Sequence, residues 1–358
     1  MNENDFIFES SKLVSGSSSW ESPSNIALIK YWGKYKNQLP KNPSISFTLT
    51  KSKTITKVRF RPKKKGEINN YSFLFKNSTK ESFHKKIDKF FYEVEKYIPS
   101  IKYHFFEIES ENTFPHSSGI ASSASSMSSL ALCLMDFEKI SNPKISKPFF
   151  LKKASFLARL GSGSACRSIQ GPMVSWGQSE FYKNSSQLFG TPLRKIDKVF
   201  ESYQDSILII DKQEKKISSS LGHKLMESNP YAENRFFQAN KNINSIKNIL
   251  EIGDIKNFIK IVESEALSLH AMMMTSSPSF ILMKPNTLSI IDKVIKFRNS
   301  NSVPICYTLD AGSNIHLLYP KKYFKKIQTF IFNELLEFCQ SDEFINDEVG
   351  IGAKKIVL

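Results

Sequence analysis

The sequence predicts an α+β protein in two domains, on three observations. Short β-branched runs with period-two or continuous apolar character are mixed with longer segments of helical apolar spacing in both halves of the chain. The two kinds of segment do not alternate strictly, as βαβ units would. The 358 residues also exceed the roughly 250–300 at which a single core stops growing. The strand pattern restarts near residue 203, so the boundary is drawn there, giving domains 1–203 and 204–358.

In chain order, SNIALIKYW (24–32), SISFTLT (44–50) and KTITKVRFR (53–61) read as strands of an N-terminal sheet. Residues 78–98 put Phe83, Ile87, Phe90, Phe91, Val94 and Ile98 on one helical face. YHFFEIES (103–110) returns as a strand, a Ser/Ala-rich helix follows over about 120–139 and another over 147–159, and PMVSW (172–176) is strand-like. The second half opens with strand SILIID (206–211) and continues with helices over about 230–250, 254–273 and 285–299. Strands PICYTLD (304–310) and NIHLLYP (314–320) and a helix from 321 complete it. Helix 254–273 carries Ile255, Phe258, Ile259, Val262, Ala266 and Leu269, an ordinary core stripe.

Composition excludes several functions. No apolar run reaches about 18 residues, so no membrane span is expected. The N-terminus has early acids and no leader pattern, so a cytosolic protein is expected. Cys133, Cys166, Cys306 and Cys339 form no CxxC pair, the six histidines are scattered, and no HExxH occurs, so no dedicated metal site is expected. The net charge of +16 raises nucleic acid as a partner, but only seven of the fifty basic residues are arginine and aromatic-basic alternation is absent. Most of the lysines, including Lys63–Lys65, read as solvated surface.

Three segments carry chemistry. RLGSGSACRSIQG (159–171) holds hydroxyls and two arginines with little apolar content, which suits a solvated loop or an anion cradle. In NTFPHSSGIASSASSMSSLALCL (112–134), a glycine loop feeds a helix whose unpaired N–H groups and dipole favour phosphate. Since GxxxxGK[ST] is absent, this is the chain's best triphosphate candidate; Ser125, Ser126, Ser128 and Ser129 read as close helix packing. In NIALIKYWGK (25–34), Lys30, Tyr31 and Lys34 crowd the end of a strand with donors that suit a diphosphate.

Pro115, Gly119 and Ala121–Ser122–Ser123–Ala124 together resemble the ATP-binding motif of the GHMP kinase superfamily. NIALIKYWGK resembles the signature of the diphosphomevalonate decarboxylases within it, as do, in order, ARLGSGSACRS (158–168), KKISSSLGH (215–223), LDAGSN (309–314) and GIGA (350–353). The resemblance spans nearly the whole chain. It implies a ribosomal-S5-domain-2-like N-terminal domain, a ferredoxin-like α+β C-terminal domain, an active-site cleft between them, and a homodimer.

It further implies ATP- and Mg²⁺-dependent conversion of mevalonate 5-diphosphate to isopentenyl diphosphate. In that scheme Asp310 accepts or orients the C3 hydroxyl proton, and the neighbouring cation Lys30 favours its ionised form. Arg167, with Ser162 and Ser164, would grip the carboxylate and diphosphate with a planar fork that lysine lacks. Tyr31 and Lys34 would join them on the diphosphate, Asn25 would meet the carboxylate, and Ser219 would approach the phosphates from the second domain. Pro115, Gly119, Ala121, Ser122, Ser123 and Ala124 would bind ATP, with Ser123 as the protein ligand of Mg²⁺. Arg159 reads as structural. A Trp-Leu-Asn-Gly turn is missing, YSFLFKN (71–77) stands in its region, and the adenine contacts stay unassigned. His116, His223 (for methionine) and Ser313 (for proline) depart from the pattern. A phosphomevalonate decarboxylase, a mevalonate 3-kinase or a basic nucleic-acid-binding protein are the competing readings.

Overall fold

The structure, a computed structural model, describes residues 1–76, 81–115, 120–180, 184–212 and 219–357, except for the side chains of residues 81, 82, 219 and 220. Its elements in order are β1 (Gly16–Ile29), β2 (Ser44–Pro62), β3 (Tyr71–Phe75), α1 (Glu81–Glu95), β4 (His104–Asn112), α2 (Ser122–Ser141), α3 (Lys147–Gly161), β5 (Met173–Trp176) and β6 (Thr191–Pro192). There follow α4 (Lys198–Glu201), β7 (Gln204–Leu208), α5 (Ser219–Leu225), α6 (Ala232–Ile252), α7 (Ile255–Met274), α8 (Pro285–Asn301), β8 (Cys306–Thr308), β9 (Ile315–Tyr319), α9 (Phe324–Phe330), β10 (Phe344–Glu348) and β11 (Lys354–Lys355). The fold is α+β, built on two sheets.

The first sheet runs β11-β1-β2-β4-β3, with β5 on β2 and β6 on β5. The two strands expected at 44–50 and 53–61 are one strand, β2. Its polar middle does not turn, because the Asp347 carboxylate accepts the N–H groups of Thr50, Lys51 and Ser52 at 2.9, 2.8 and 2.7 Å and keeps the backbone extended. β1 begins earlier than expected and stops at Ile29, so Lys30–Trp32 lie beyond the sheet. YSFLF is a strand, β3, parallel to β4. Three helices cover one face of this sheet, with Phe90, Phe106, Leu134 and Phe156 in their core.

The second sheet runs β10-β7-β9-β8. The chain beyond 321 is less regular than the helix expected there: a 3₁₀ turn, α9 and a π-helical turn at Ile331–Leu335 follow one another. A second core joins the halves, with Ile26, Leu28, Phe47 and Leu49 of β1 and β2 packed against Phe200, Ile207, Ile243 and Phe258. The tail also crosses back, pairing β11 with β1. GIGA serves this seam: a Cβ at Gly350 would lie 2.5 Å from Leu49 O, and one at Gly352 would lie 2.6 Å from Gln170 C. All four cysteines are buried and free. Among the described residues no helix is long and apolar enough to cross a membrane.

Candidate active site

The cleft is assembled from chain ends that the sheets leave free. Lys30 stands one residue beyond β1, is 1% exposed, and extends Nζ to Asp310 Oδ1 at 2.8 Å. Asp310 follows β8 in a tight turn, where the Gly312 N–H donates to its carbonyl at 2.7 Å. Its carboxylate is about a quarter exposed, 27%, so one partner is sealed in and the other faces the cleft. Asn314 holds this turn to the end of β7, its Oδ1 accepting from Ile210 N and Asp211 N at 2.7 and 3.0 Å. Ser313 contributes its carbonyl, an acceptor for Thr287 Oγ1 at 2.9 Å.

The segment 159–171 is a packed element and not a solvated loop. After α3 ends, Gly163–Arg167 form a 3₁₀ turn. Ser155 Oγ donates to Cys166 O at 2.8 Å, Ser22 Oγ to Ser168 O at 3.1 Å, and Asn25 Nδ2 to Ser168 Oγ at 2.7 Å and Ser164 O at 3.2 Å. Both amide hydrogens of Asn25 are thus committed, and its remaining atom, Oδ1, is an acceptor that repels a carboxylate. Through these bonds Asn25 holds the loop. Gly163 permits a close approach, since a Cβ there would lie 2.8 Å from Trp176 and from Tyr31 Oη. The hydroxyls of Ser162 and Ser164 are half-buried.

Arg167 is 2% exposed. Its Nη1 donates to Ser44 Oγ, its guanidinium lies 5.7 Å from the Trp176 ring, and Nε has no acceptor among the described residues. Burial disfavours its charge, opposed by nearby groups that include Asp310, and no carboxylate pairs with it among the described residues. A buried cation without a counter-ion is costly unless an anion arrives. Tyr31 Oη beside it is a buried donor with no acceptor among the described residues, and burial raises its phenol above the ordinary range, keeping it protonated. Arg159, in contrast, spends its guanidinium on Leu188 O, Asn37 O and Glu3, as a structural residue does.

The second half reaches this cleft through α5. Gly222 lets it close on Trp32, where a Cβ would fall 2.5 Å from the indole. His223 packs against the rings of Tyr31 and Trp32 at 4.3 and 4.7 Å and accepts the Gly33 N–H on Nδ1 at 2.9 Å. Burial, with Lys34 and Arg167 nearby, pushes it down to about 3, so the ring is neutral with its proton on Nε2. Lys34 is half-buried, donates to Gln38 Oε1 at 2.9 Å, and has its charge weakened by burial and by Lys89. Ser219 opens α5, but its side chain, like Gly119, His116 and residues 213–218, lies outside the described residues.

At the other end of the cleft, Ala121 takes a left-handed conformation and no side chain caps α2. The Ala124 N–H closes a turn on Ala121 O at 2.8 Å, which leaves the earlier N–H groups of that turn without helical partners. Ser122 is half-buried, Ser123 is exposed and Ala124 is buried, while Pro115 is exposed at the end of the described segment that precedes them. Deeper in α2, Ser125, Ser128 and Ser129 meet Thr54, Ser22 and Thr56 hydroxyls, each at 2.6 Å, the close packing expected of them. Beside Ser122 and Ser123 opens a pocket lined by Phe73, Phe75, Phe83, Ile87 and Met127. Sequence reasoning left this site blank. The signal was present in the alternation of YSFLF and the aromatic start of α1, but only pairing of β3 with β4 brings them to α2. Also missed were Glu265 and His270, a carboxylate and an imidazole set into the apolar stripe of α7.

A carboxylate bonded to a buried lysine, near a guanidinium that lacks a counter-ion, suits phosphoryl transfer to a hydroxyl of an anionic substrate. The two-sheet α+β frame around that chemistry is the frame of the GHMP kinase superfamily. A model described as the diphosphomevalonate decarboxylase-like N-terminal domain matches residues 22–187, and one described as the mevalonate 5-diphosphate decarboxylase C-terminal domain matches 206–354. The diphosphomevalonate decarboxylase of Ganoderma lucidum is 27% identical over 355 residues, spanning 92% of this chain and 84% of its own length. That of Saccharomyces cerevisiae is 27% identical over 325 residues, spanning 87% and 79%. The solved mevalonate diphosphate decarboxylase of Staphylococcus aureus is 27% identical with a TM-score of 0.82, covering 96% of this chain and 99% of that one. A solved complex of MDDEF with MVAPP, AMPPCP and magnesium is 26% identical with a TM-score of 0.81, again covering 96% and 99%. The chain belongs to the diphosphomevalonate decarboxylase family, whose members are carboxy-lyases.

Proposed function

We propose that this chain converts mevalonate 5-diphosphate and ATP to isopentenyl diphosphate, CO2, ADP and phosphate, in a cleft between domains 1–203 and 204–358, as a cytosolic homodimer. The observation that carries the reading is the 2.8 Å Lys30–Asp310 pair together with the buried, counter-ion-free Arg167. Asp310 takes the proton of the C3 hydroxyl as that oxygen attacks the γ-phosphorus of ATP, and Lys30 holds the carboxylate in place. Phosphate then leaves C3 of the tertiary ester with the C3–O bonding pair, the carboxylate departs as CO2, and the electrons of the broken C–C bond close the alkene. Arg167 holds the anionic end of the substrate, with Tyr31, Lys34, Ser162 and Ser164 adding donors; a phenol and a guanidinium nitrogen without partners support this. Ser219 approaches the phosphates from the second domain.

The uncapped first turn of α2, with Ala121, Ser122, Ser123 and Ala124 and the approach through Pro115 and Gly119, receives the triphosphate. The cavity walled by Phe73, Phe75 and Phe83 takes the adenine. Both features fit ATP, and the relative solved with AMPPCP and magnesium supports that assignment. Ser123, exposed and without a side-chain bond among the described residues, is available to hold Mg²⁺, which when bound neutralises phosphate charge. The test measures CO2 and ADP side by side from mevalonate, its monophosphate and its diphosphate. Equimolar CO2 and ADP from the diphosphate alone is the expected result. ADP without CO2 would make the protein a kinase, and turnover confined to the monophosphate would reassign the substrate.

A further inference from the structure

We infer that α7 is a brace for the Lys30–Asp310 pair, with Glu265 and His270 as positioning residues; this rests on the reading of that pair given above. Lys30 lies past the last registered pair of β1 and β2, Ile29 with Ile45, so the sheet does not fix its backbone. Its N–H donates instead to Glu265 Oε2 at 2.9 Å, and its carbonyl accepts from Asn42 Nδ2 at 3.0 Å. Glu265 is itself held from two positions on α6: Arg235 donates to both its oxygens, with Nη1 at 3.1 Å from Oε1, and Asn242 Nδ2 donates to Oε1 at 2.6 Å.

Asp310 lies past the end of β8, and its carbonyl is 3.1 Å from His270 Nε2. A carbonyl only accepts, so that nitrogen carries the ring proton and donates it. Glu265 and His270 are 0% and 1% exposed, on a buried helix face whose other residues, Val262, Ala266 and Leu269 among them, are apolar. Polar groups so buried need defined partners. Here those partners include the main-chain atoms of the two residues whose side chains meet at 2.8 Å. A single rigid helix therefore sets the spacing of the pair from behind, on the side away from the substrate.

The experiment compares His270→Gln, whose amide reaches the Nε2 position, with His270→Asn, whose shorter amide does not. Glu265→Asp, which keeps the charge facing Arg235 but withdraws it from the Lys30 N–H, is measured with them. Turnover of mevalonate 5-diphosphate with ATP is followed as CO2, with thermal midpoints recorded. The brace predicts that His270→Asn and Glu265→Asp lose up to about 100-fold in kcat, as small misplacements of reacting groups do. Both KM values stay within about threefold, and His270→Gln recovers most of the rate. Equal kcat for the Gln and Asn variants, or losses that follow the thermal midpoint alone, would overturn the role of His270. Wild-type kcat in Glu265→Asp would overturn that of Glu265. Asp310→Asn is run alongside: if it turns over normally, the reading of the catalytic pair fails, whereas an inactive Asp310→Asn with unaffected α7 variants refutes the brace alone.

Discussion

Replacing His223 with methionine isolates one proton-linked part of stability. Burial first, and then Lys34 and Arg167, hold this imidazole at about 3 in the folded chain, against about 6.5 for a free histidine. Between those values the unfolded chain binds a proton that the folded chain refuses. The contribution of the neutral ring is therefore complete above about pH 6.5 and is lost progressively as pH falls toward 3. The slope is at most about 1.4 kcal/mol per pH unit, so about 2 kcal/mol should be gone at about pH 5.

The geometry supplies the cause: Nδ1 accepts the Gly33 N–H at 2.9 Å, and a proton there would set two donors against each other between the rings of Tyr31 and Trp32. Methionine keeps an apolar contact and cannot titrate. Urea unfolding followed by circular dichroism, at about pH 8 and about pH 5, should show the native protein losing about 2 kcal/mol more than His223→Met. His104, also disfavoured in its charged form by burial, is common to both proteins and cancels. Identical pH dependence in the two would refute the reasoning, since the ring would then titrate as a solvated histidine does.

Other outcomes are equally specific. Asp310→Asn should lower kcat by about 10²–10⁴-fold, the range for losing a general base, while equilibrium binding of an ATP analogue changes little; retained turnover would remove Asp310 from the proton transfer. Arg167→Lys should lower kcat/KM by about 10–100-fold, the equivalent of one charge-assisted hydrogen bond, because an ammonium cannot keep Ser44 and also present a fork to an anion. An unchanged rate constant would contradict the anion-binding role. Phe83→Ala, which opens the wall of the apolar pocket beside Ser122 and Ser123, should raise the KM for ATP by about tenfold with that for the substrate unaltered. A rise confined to the substrate would move the nucleotide elsewhere.

The candidate site residues were legible because each lies in a short motif whose residue types suggest their chemistry: KYWGK, ASSA, GSACRS and DAGSN. Element type was legible for the same local reason, through period-two runs in β1, β2 and β4 and helical stripes in α1 and α7. What failed locally was whatever depended on a distant partner. Lys51 and Ser52 read as a break between strands because the carboxylate that holds the backbone straight, Asp347, is nearly 300 positions away. The bonds of Asn25 were hidden for the same reason, since nothing in its neighbourhood announces that Ser164 and Ser168 take both its hydrogens.

By itself the sequence determined the two kinds of element, the motifs, the superfamily frame and the chemistry available, since hydrophobic period and side-chain type are local properties of a chain. Only the tertiary structure decided which donors are spent and which are spare. It tied the amide hydrogens of Asn25 and the guanidinium of Arg159 into the scaffold, left Tyr31 Oη and Arg167 Nε without acceptors among the described residues, neutralised His223 by burial, and set a carboxylate and an imidazole of α7 behind Lys30 and Asp310. The reason is physical: a hydrogen bond and a desolvation depend on what surrounds an atom in space, and that is set only when segments from both ends of the chain pack together.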